Sequence, residues 1–391
     1  MKKLLALILA LALSLGILAS CAGNSPSETP PPLPSEDIAL PDEPSTEPDE
    51  SEPLFFTDSA GRTVELPANI TSISPSGALA QMFLIAIAPD YLVTIASEYS
   101  EEDAKYIPGE VVGLPVVGQF YGSDDLNFES IAAIGPELVI DVGEPKNTIV
   151  EDMDSITANL AIPSVHITAT LDSTPDAFRT LGAILGREER GEELAQFCEK
   201  ILAQTDEIMA QIGDNKVSAL YLLGDAGLNV LAKTSFHSEV LDKLTDNLAV
   251  VDEPSSRGSG NETDLEQISL WNPQVILFAP GSVYADVASD PTWSQLDAIK
   301  NRQYYEVPQG PYNWMGTPPS INRYLGMIWL TQILYPVEAQ FGVFEEVQEY
   351  YKLFYGYDLT NEEFESLSGL VSIHPILDDI NDAATPADLA A

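Results

Sequence analysis

Apolar residues are distributed along the 391 positions in three regimes. One uninterrupted run, Leu4 to Leu18, opens the chain, and residues 24 to 54 then hold few apolar side chains. From Phe55 onward, short β-branched runs alternate with stretches in which apolar residues recur every three or four positions. Ile70 to Ser74, Leu92 to Ala96, Leu138 to Val142 and Ser164 to Thr168 are runs of the first kind, and their spacing predicts the strands of a parallel α/β unit. A second set, Ser218 to Leu223, Leu248 to Val251, Gln274 to Ala279 and Gln303 to Val307, predicts another. Two α/β lobes follow. Between them, Leu194, Phe197, Ile201, Leu202, Ile208, Met209 and Ile212 keep helical spacing. A helix from Arg187 to Ile212 would be a rod of roughly 39 Å at about 1.5 Å per residue, stopped by Gly213-Asp214-Asn215.

An internal repeat supports the duplication. Phe128-Glu129-Ser130-Ile131 precedes Gly135-Pro136-Glu137-Leu138-Val139-Ile140, and Leu265-Glu266-Gln267-Ile268 precedes Asn272-Pro273-Gln274-Val275-Ile276-Leu277. Each copy predicts a short helix opened by an acid, a Pro-marked turn and a buried strand.

The opening run has its own meaning. Lys2 and Lys3 stand before it, Ala19 and Ser20 close it, and its 15 residues fall short of the roughly 20 that cross a hydrocarbon core. This is the layout of a signal peptide, residues 1–20. Leu18-Ala19-Ser20-Cys21 resembles the lipobox of bacterial lipoproteins, which implies a lipid on Cys21 and an extracytoplasmic protein anchored to the cell membrane; Ala22 gives no retention signal. Residues 24 to 54 contain nine acids, nine Pro and neither Lys nor Arg, the composition of an extended tether, taken here as 21–54. The whole chain carries 17 basic and 61 acidic residues, a net charge of −44. Assigning +2 to the leader and −9 to the tether leaves −37 on residues 55 to 391. Such a field repels nucleic acid. Cys198 is the one thiol besides Cys21, and its helical run makes it a core residue.

With these features in place, the chain resembles the substrate-binding lipoproteins of ABC importers for iron-siderophores, haem and cobalamin. The resemblance rests on Thr57-Asp58-Ser59-Ala60-Gly61-Arg62-Thr63-Val64-Glu65-Leu66-Pro67, on both repeat copies, on Leu181-Gly182-Ala183-Ile184-Leu185-Gly186, and on Pro311-Tyr312-Asn313-Trp314-Met315 through Tyr351-Lys352-Leu353-Phe354-Tyr355-Gly356-Tyr357. It implies a class III periplasmic-binding-protein fold, two Rossmann-like parallel-sheet lobes joined by a single long helix. The corresponding divisions are a first lobe 55–186, a linking helix 187–214, a second lobe 215–370 and a tail 371–391. It also implies a metal chelate as ligand, an ABC permease dimer with its ATPase as partner, and no cofactor. Glu129 and Glu266 match the positions at which the family docks onto the permease. Thr263-Asp264-Leu265-Glu266 also has the form of a capping box, a purely structural use of Glu266.

Ligand contacts are expected at the carboxyl ends of parallel strands. Ser74 and Ser76 open a helix there, which reads equally well as a place where backbone N–H groups receive an anionic or polar group and as a simple N-cap by Ser76. The resemblance adds Phe120 and Tyr121 as one aromatic wall and Tyr312 and Trp314 as another. Arg257 and Arg323 are candidate anchors for carboxylate or catecholate groups; Arg323 reads equally well as one half of a structural ion pair. His237 is a candidate polar contact; no residues are assigned to a metal. Gly316-Thr317 stands where relatives often carry a basic residue, which argues against a strongly anionic ligand. Cobalamin, haem and a molybdate-like oxyanion remain alternatives, as does a sensing lipoprotein without transport. An enzyme is disfavoured by the lack of a Gly-x-Ser-x-Gly elbow and of a His-Glu-x-x-His motif.

Overall fold

A computed structural model describes residues 54–370; Cys21, most of the tether, and the tail with His374 lie outside the described residues. The chain enters through an antiparallel hairpin, β1 (Leu54–Thr57) and β2 (Thr63–Leu66). Asp58 shapes its turn by accepting the N–H groups of Ala60 at 3.0 Å and Arg62 at 2.9 Å. The first lobe is built on three parallel strands, β3 (Ile73–Pro75), β4 (Leu138–Gly143) and β5 (Ser164–Thr168), in that order. The second lobe carries β6 (Ser218–Leu223), β7 (Asn229–Val230), β8 (Asp246–Asn247), β9 (Asn261–Glu262), β10 (Val275–Phe278) and β11 (Tyr304–Glu306). Here β11, β10 and β6 run parallel, β8 pairs with β6, and β7 and β9 add antiparallel along the other edge. The fold is α/β, with a parallel sheet in the first lobe, a mixed sheet in the second where a wholly parallel one was expected, and one long helix, Glu188–Ile212, between them.

Strand side chains alternate between two cores. In β6, Ala219, Tyr221 and Leu223 face the large central core while Leu220 and Leu222 face a second one. Leu138, Ile140 and Val142 of β4 enter the same central core, and Val139 points the other way. A strand buried on both faces reads as a continuous apolar run, which is why these strands were visible in the sequence. Two expected strands did not form. Around Leu92 to Ala96 only isolated bridges occur, to Ile73 and to Val116. Ile95 N–H reaches Pro115 O, and Pro115 has no N–H with which to extend the ladder. Leu248 adds one bond to Ala219 O, after which Val250 N–H turns back to Leu248 O and the chain leaves the sheet.

The linking helix packs closely on the preceding helix, Thr174–Leu185. Gly191 permits this, because a Cβ there would stand 2.6 Å from Phe178 O. The final helices, Arg323–Leu334, Val343–Tyr355 and Asn361–Ser368, do not stay with the second sheet. Phe354 meets Phe178 and Phe197 at ring-centroid distances of 5.8 and 5.5 Å, and Tyr351 meets Tyr106 at 5.3 Å. The chain thus returns across the linking helix and shares one core between both sheets.

The duplication is visible at the level of single hydrogen bonds. The helices Phe128–Ile134 and Leu265–Trp271 are capped by Asn127, accepting Ser130 N–H at 2.9 Å, and by Asp264, accepting Gln267 N–H at 2.8 Å. Each ends on a left-handed residue, Gly135 (φ 70°) and Asn272 (φ 44°). Glu137 then accepts Ser72 N–H, and Gln274 accepts Ser218 N–H, both at 2.9 Å. Asp264, one residue after Thr263, is therefore the cap, and the capping-box role considered for Glu266 is not used.

Candidate functional site

A cavity of about 550 Å³ lies between the lobes. The first lobe contributes Ser76 to Ala80, Gln119, Tyr121 and Gly122, and the segment following β4 from Asp141 to Glu144 with Lys146. The second lobe contributes Phe236, His237, Ser256 to Gly258 and Thr317 to Pro319.

On the first wall, Ser76 donates its hydroxyl to Asp141, whose other carboxylate oxygen is 2.6 Å from His166 Nδ1. His166 Nε2 is 3.2 Å from Thr168 Oγ1. Asp141 stands between serine and histidine, so the imidazole is not placed to take a proton from Ser76 as nucleophilic catalysis requires. The trio holds a nearly buried carboxylate at the floor of the cavity. Beside it begins the helix Ala78–Ile87, whose first turn carries no acid and whose Gly77 cap makes no side-chain bond. Its first residues, Ala78 to Ala80, line the cavity, which places the positive end of the helix dipole beside it. Phe120 N–H bonds Ser76 O at 2.8 Å and so fixes the loop that presents Tyr121. The Tyr121 hydroxyl donates to Asp152 at 2.9 Å. Burial, reinforced by Asp141 and Asp152, pushes its pKa up and keeps it protonated. Lys146 Nζ lies 4.7 Å from the Tyr121 ring centroid.

On the second wall, His237 Nδ1 is 3.2 Å from Gly316 O. A carbonyl only accepts, so Nδ1 carries the hydrogen. Burial lowers the pKa of this imidazole, against the carbonyls of Gly316 and Ser256, which favour its charged form.

The cations of this acidic chain are sharply divided. Of the fifteen Lys and Arg beyond the leader, eleven form ion pairs with carboxylates. The four others are Lys146, Lys216, Arg257 and Arg302, and Lys216 is spent on the carbonyls of Asp242 and Lys243. Two of the remaining three, Lys146 and Arg257, line the cavity from opposite lobes. Glu144, on the same wall as Lys146, is the acid that opposes them beside Asp141.

Of the residues expected from the sequence, Ser76, Tyr121, His237 and Arg257 line the cavity. Five do not. Ser74 is fully buried, with its hydroxyl 2.6 Å from Thr94 Oγ1. Phe120 turns into a small core beside Tyr121. Tyr312 is occupied by Tyr99, hydroxyl to hydroxyl at 2.5 Å. Trp314 has no exposed surface and donates Nε1–H to Gly310 O at 3.4 Å. Its loop, flanked by Gly and Pro, is a loop of the interior. Arg323 is also fully buried and pairs with Glu239. Glu129 and Glu266 occupy equivalent second positions of their helices, exposed and outside every ion pair. Reading the sequence missed Lys146, Phe236 and Asp141. Lys146 lies three residues beyond the end of β4 and satisfied the strand-end rule applied to Ser76.

A family model described as periplasmic binding protein matches residues 85–311 of this chain. The Fe(3+)-citrate-binding protein YfmC of Bacillus subtilis is 24% identical over 220 residues, 55% of this chain and 66% of that protein, so the match spans just under two thirds of the relative's length. Among solved structures, an ABC transporter solute binding protein from Sulfurospirillum deleyianum superposes with a TM-score of 0.75 at 28% identity, over 81% of this chain and 99% of that one. A periplasmic solute binding protein from Veillonella parvula gives 0.68 at 24% identity, over 81% and 97%.

Proposed function

The chain belongs to the periplasmic binding protein family, and from that premise we propose that it is the extracytoplasmic receptor of an ABC importer for an anionic ferric chelate. One observation carries the choice of ligand: the two cations free of carboxylates that line the cavity, Lys146 and Arg257, come from opposite lobes. In a chain of net charge −44, an anion needs such local cations to offset long-range repulsion. The uncapped start of the helix Ala78–Ile87 adds N–H donors. The iron citrate bound by the Bacillus subtilis relative is a ligand of this class. Against the expectation drawn from Gly316-Thr317, Lys146 supports an anion by placing on the first lobe a charge that the second lacks at that point.

In this reading Tyr121 and Ser76 orient the chelate, His237 buttresses the opposite wall, and the lobes dock onto a permease dimer through Glu129 and Glu266. Among the described residues no helix is long and apolar enough to cross a membrane, and a lipid on Cys21 keeps the receptor at the membrane. Cys21→Ala should then release the protein into the medium. The ligand is tested by quenching of intrinsic fluorescence in the purified mature protein. Ferric citrate should bind with micromolar affinity or better, and iron-free citrate much more weakly. Saturation by cobalamin, haem or molybdate with no response to ferric citrate would overturn the assignment. Intact binding with no uptake defect in a deletion strain would instead favour a sensor.

A further inference from the structure

We propose that Phe236 makes the cavity selective for chelates bearing a planar aromatic catecholate, and that Arg323 is the positioning residue that tunes this ring from behind; the proposal rests on the cleft being the site of an anionic ferric chelate. Phe236 opens the short turn Phe236–Ser238, which is held by Ser235 Oγ accepting His237 N–H at 3.3 Å. One part of the ring lines the cavity. The Arg323 guanidinium lies over it, with Cζ 4.9 Å from the ring centroid.

Three of the five N–H groups of the guanidinium are engaged in hydrogen bonds. Nε donates to Ser320 O at 3.1 Å, Nη2 to Ala169 O at 3.1 Å and Nη1 to Glu239. Glu239 also accepts Leu171 N–H at 3.0 Å, so the cation is anchored to both lobes. These bonds hold the charge against the Phe236 ring, and Arg323, fully buried, lines none of the cavity itself. An aromatic face is electron-rich, and a cation on one side draws that density toward itself. The side turned to the cavity becomes poorer in electrons and suits an electron-rich anionic ring better than a cation.

On the other aromatic wall Lys146 also stands over a ring, that of Tyr121, but this cation lines the cavity itself. Among the described residues there are five cation–ring contacts; two of them involve the rings lining this one cavity, from opposite lobes. An aliphatic chelate exploits only the charges of Lys146 and Arg257. A catecholate chelate also gains the rings.

The test compares two probes, ferric citrate and iron(III) 2,3-dihydroxybenzoate, by fluorescence quenching of the mature protein. Phe236→Leu should weaken the aromatic probe about tenfold and ferric citrate less than twofold, while Phe236→Trp should keep the aromatic affinity. Arg323→Gln, which removes the charge behind the ring, should weaken only the aromatic probe, and Arg323→Lys, which retains it, should weaken that probe less; thermal melts establish that each variant folds. Equal losses for both probes, or none in Phe236→Leu, would overturn the proposal while leaving the chelate-binding reading intact. If the unaltered protein binds neither probe, the reading of the cleft falls as well.

Discussion

Replacing Lys146 by Gln removes one positive charge from the cavity and keeps most of the side chain's length. Lys146 is half-buried and unpaired, so its bond to an anionic ligand has the character of a charge-assisted hydrogen bond in a partly desolvated site. Such bonds contribute about 1.5–3 kcal/mol, and two unit charges 4 Å apart gain about 1 kcal/mol in bulk water and about 4 kcal/mol in a protein-like medium. A loss of about 2 kcal/mol is the middle of that range, about a thirtyfold rise in Kd for ferric citrate. Arg257 is exposed, and Arg257→Gln should cost less, about fivefold. The two residues sit on different lobes, so the effects should multiply in the double variant. Arg302→Gln is the control, because Arg302 is likewise free of carboxylates but lies off the cavity. Titrations at 0.1 M and 1 M NaCl add a second check, as the screening length falls from about 10 Å to about 3 Å. The ratio of variant to native Kd should shrink at high salt. If Lys146→Gln and Arg257→Gln both bind ferric citrate within twofold of the native protein, the electrostatic account of the cavity is wrong.

Three further outcomes follow from the geometry. Reversing charge at both proposed docking positions, Glu129→Lys with Glu266→Lys, should abolish chelate uptake by whole cells while the purified protein binds as before; normal uptake would refute docking through these residues. Burial lowers the folded-state pKa of His237, so its neutral form is favoured in the native protein. The stability linked to this group is present above its unfolded pKa of about 6.5 and is lost as pH falls through the folded value. Native Tm should therefore drop more between pH 7 and pH 5 than that of His237→Gln, and parallel drops would contradict the assignment. Gly191→Ala places a Cβ 2.6 Å from the carbonyl oxygen of Phe178, backbone against backbone. It should cost about 1–3 kcal/mol in urea denaturation, and an unchanged midpoint would mean that the two helices are free to separate.

Different physical signals decided what the sequence revealed. Ser164 to Thr168 and Ser218 to Leu223 were legible to the residue because both faces of these strands are buried, which leaves no polar alternation to blur their ends. The long helix was legible from its apolar spacing, with Arg187 as its cap and Gly213 as its end. Leu92 to Ala96 failed because Pro115, in the partner segment, ends the ladder, a fact stored about twenty residues away. Arg323 shows the limit most clearly. An arginine after Pro-Pro-Ser reads equally well as an exposed anchor and as a buried ion pair. The decision rests with Glu239, 84 residues distant, and with the carbonyl of Ala169. Trp314 was misread for a related reason, since Gly and Pro mark a loop but say nothing about whether that loop is covered.

The duplication explains why the strand-end rule worked on one lobe and not on the other. At the helix end of the repeat the two copies have stayed equivalent, down to their caps, their left-handed stops and the exposed Glu129 and Glu266. At the strand end they have diverged. In the first lobe, the residues following β3 and β4 line the cavity, as open parallel sheets require. In the second, Ala279 and Pro280 follow β10 and line none of it; the wall comes instead from Phe236 and His237, Ser256 to Gly258 and Thr317 to Pro319. That sheet carries the antiparallel additions β7 and β9, and the segments flanking them supply two of these three contacts. On the proposed reading, docking on a symmetric dimer favours docking ends that stay alike, and holding a chelate allows walls that differ; the equivalent Glu129 and Glu266 beside the unequal Lys146, at a strand end, and Arg257, on an inserted loop, fit both demands.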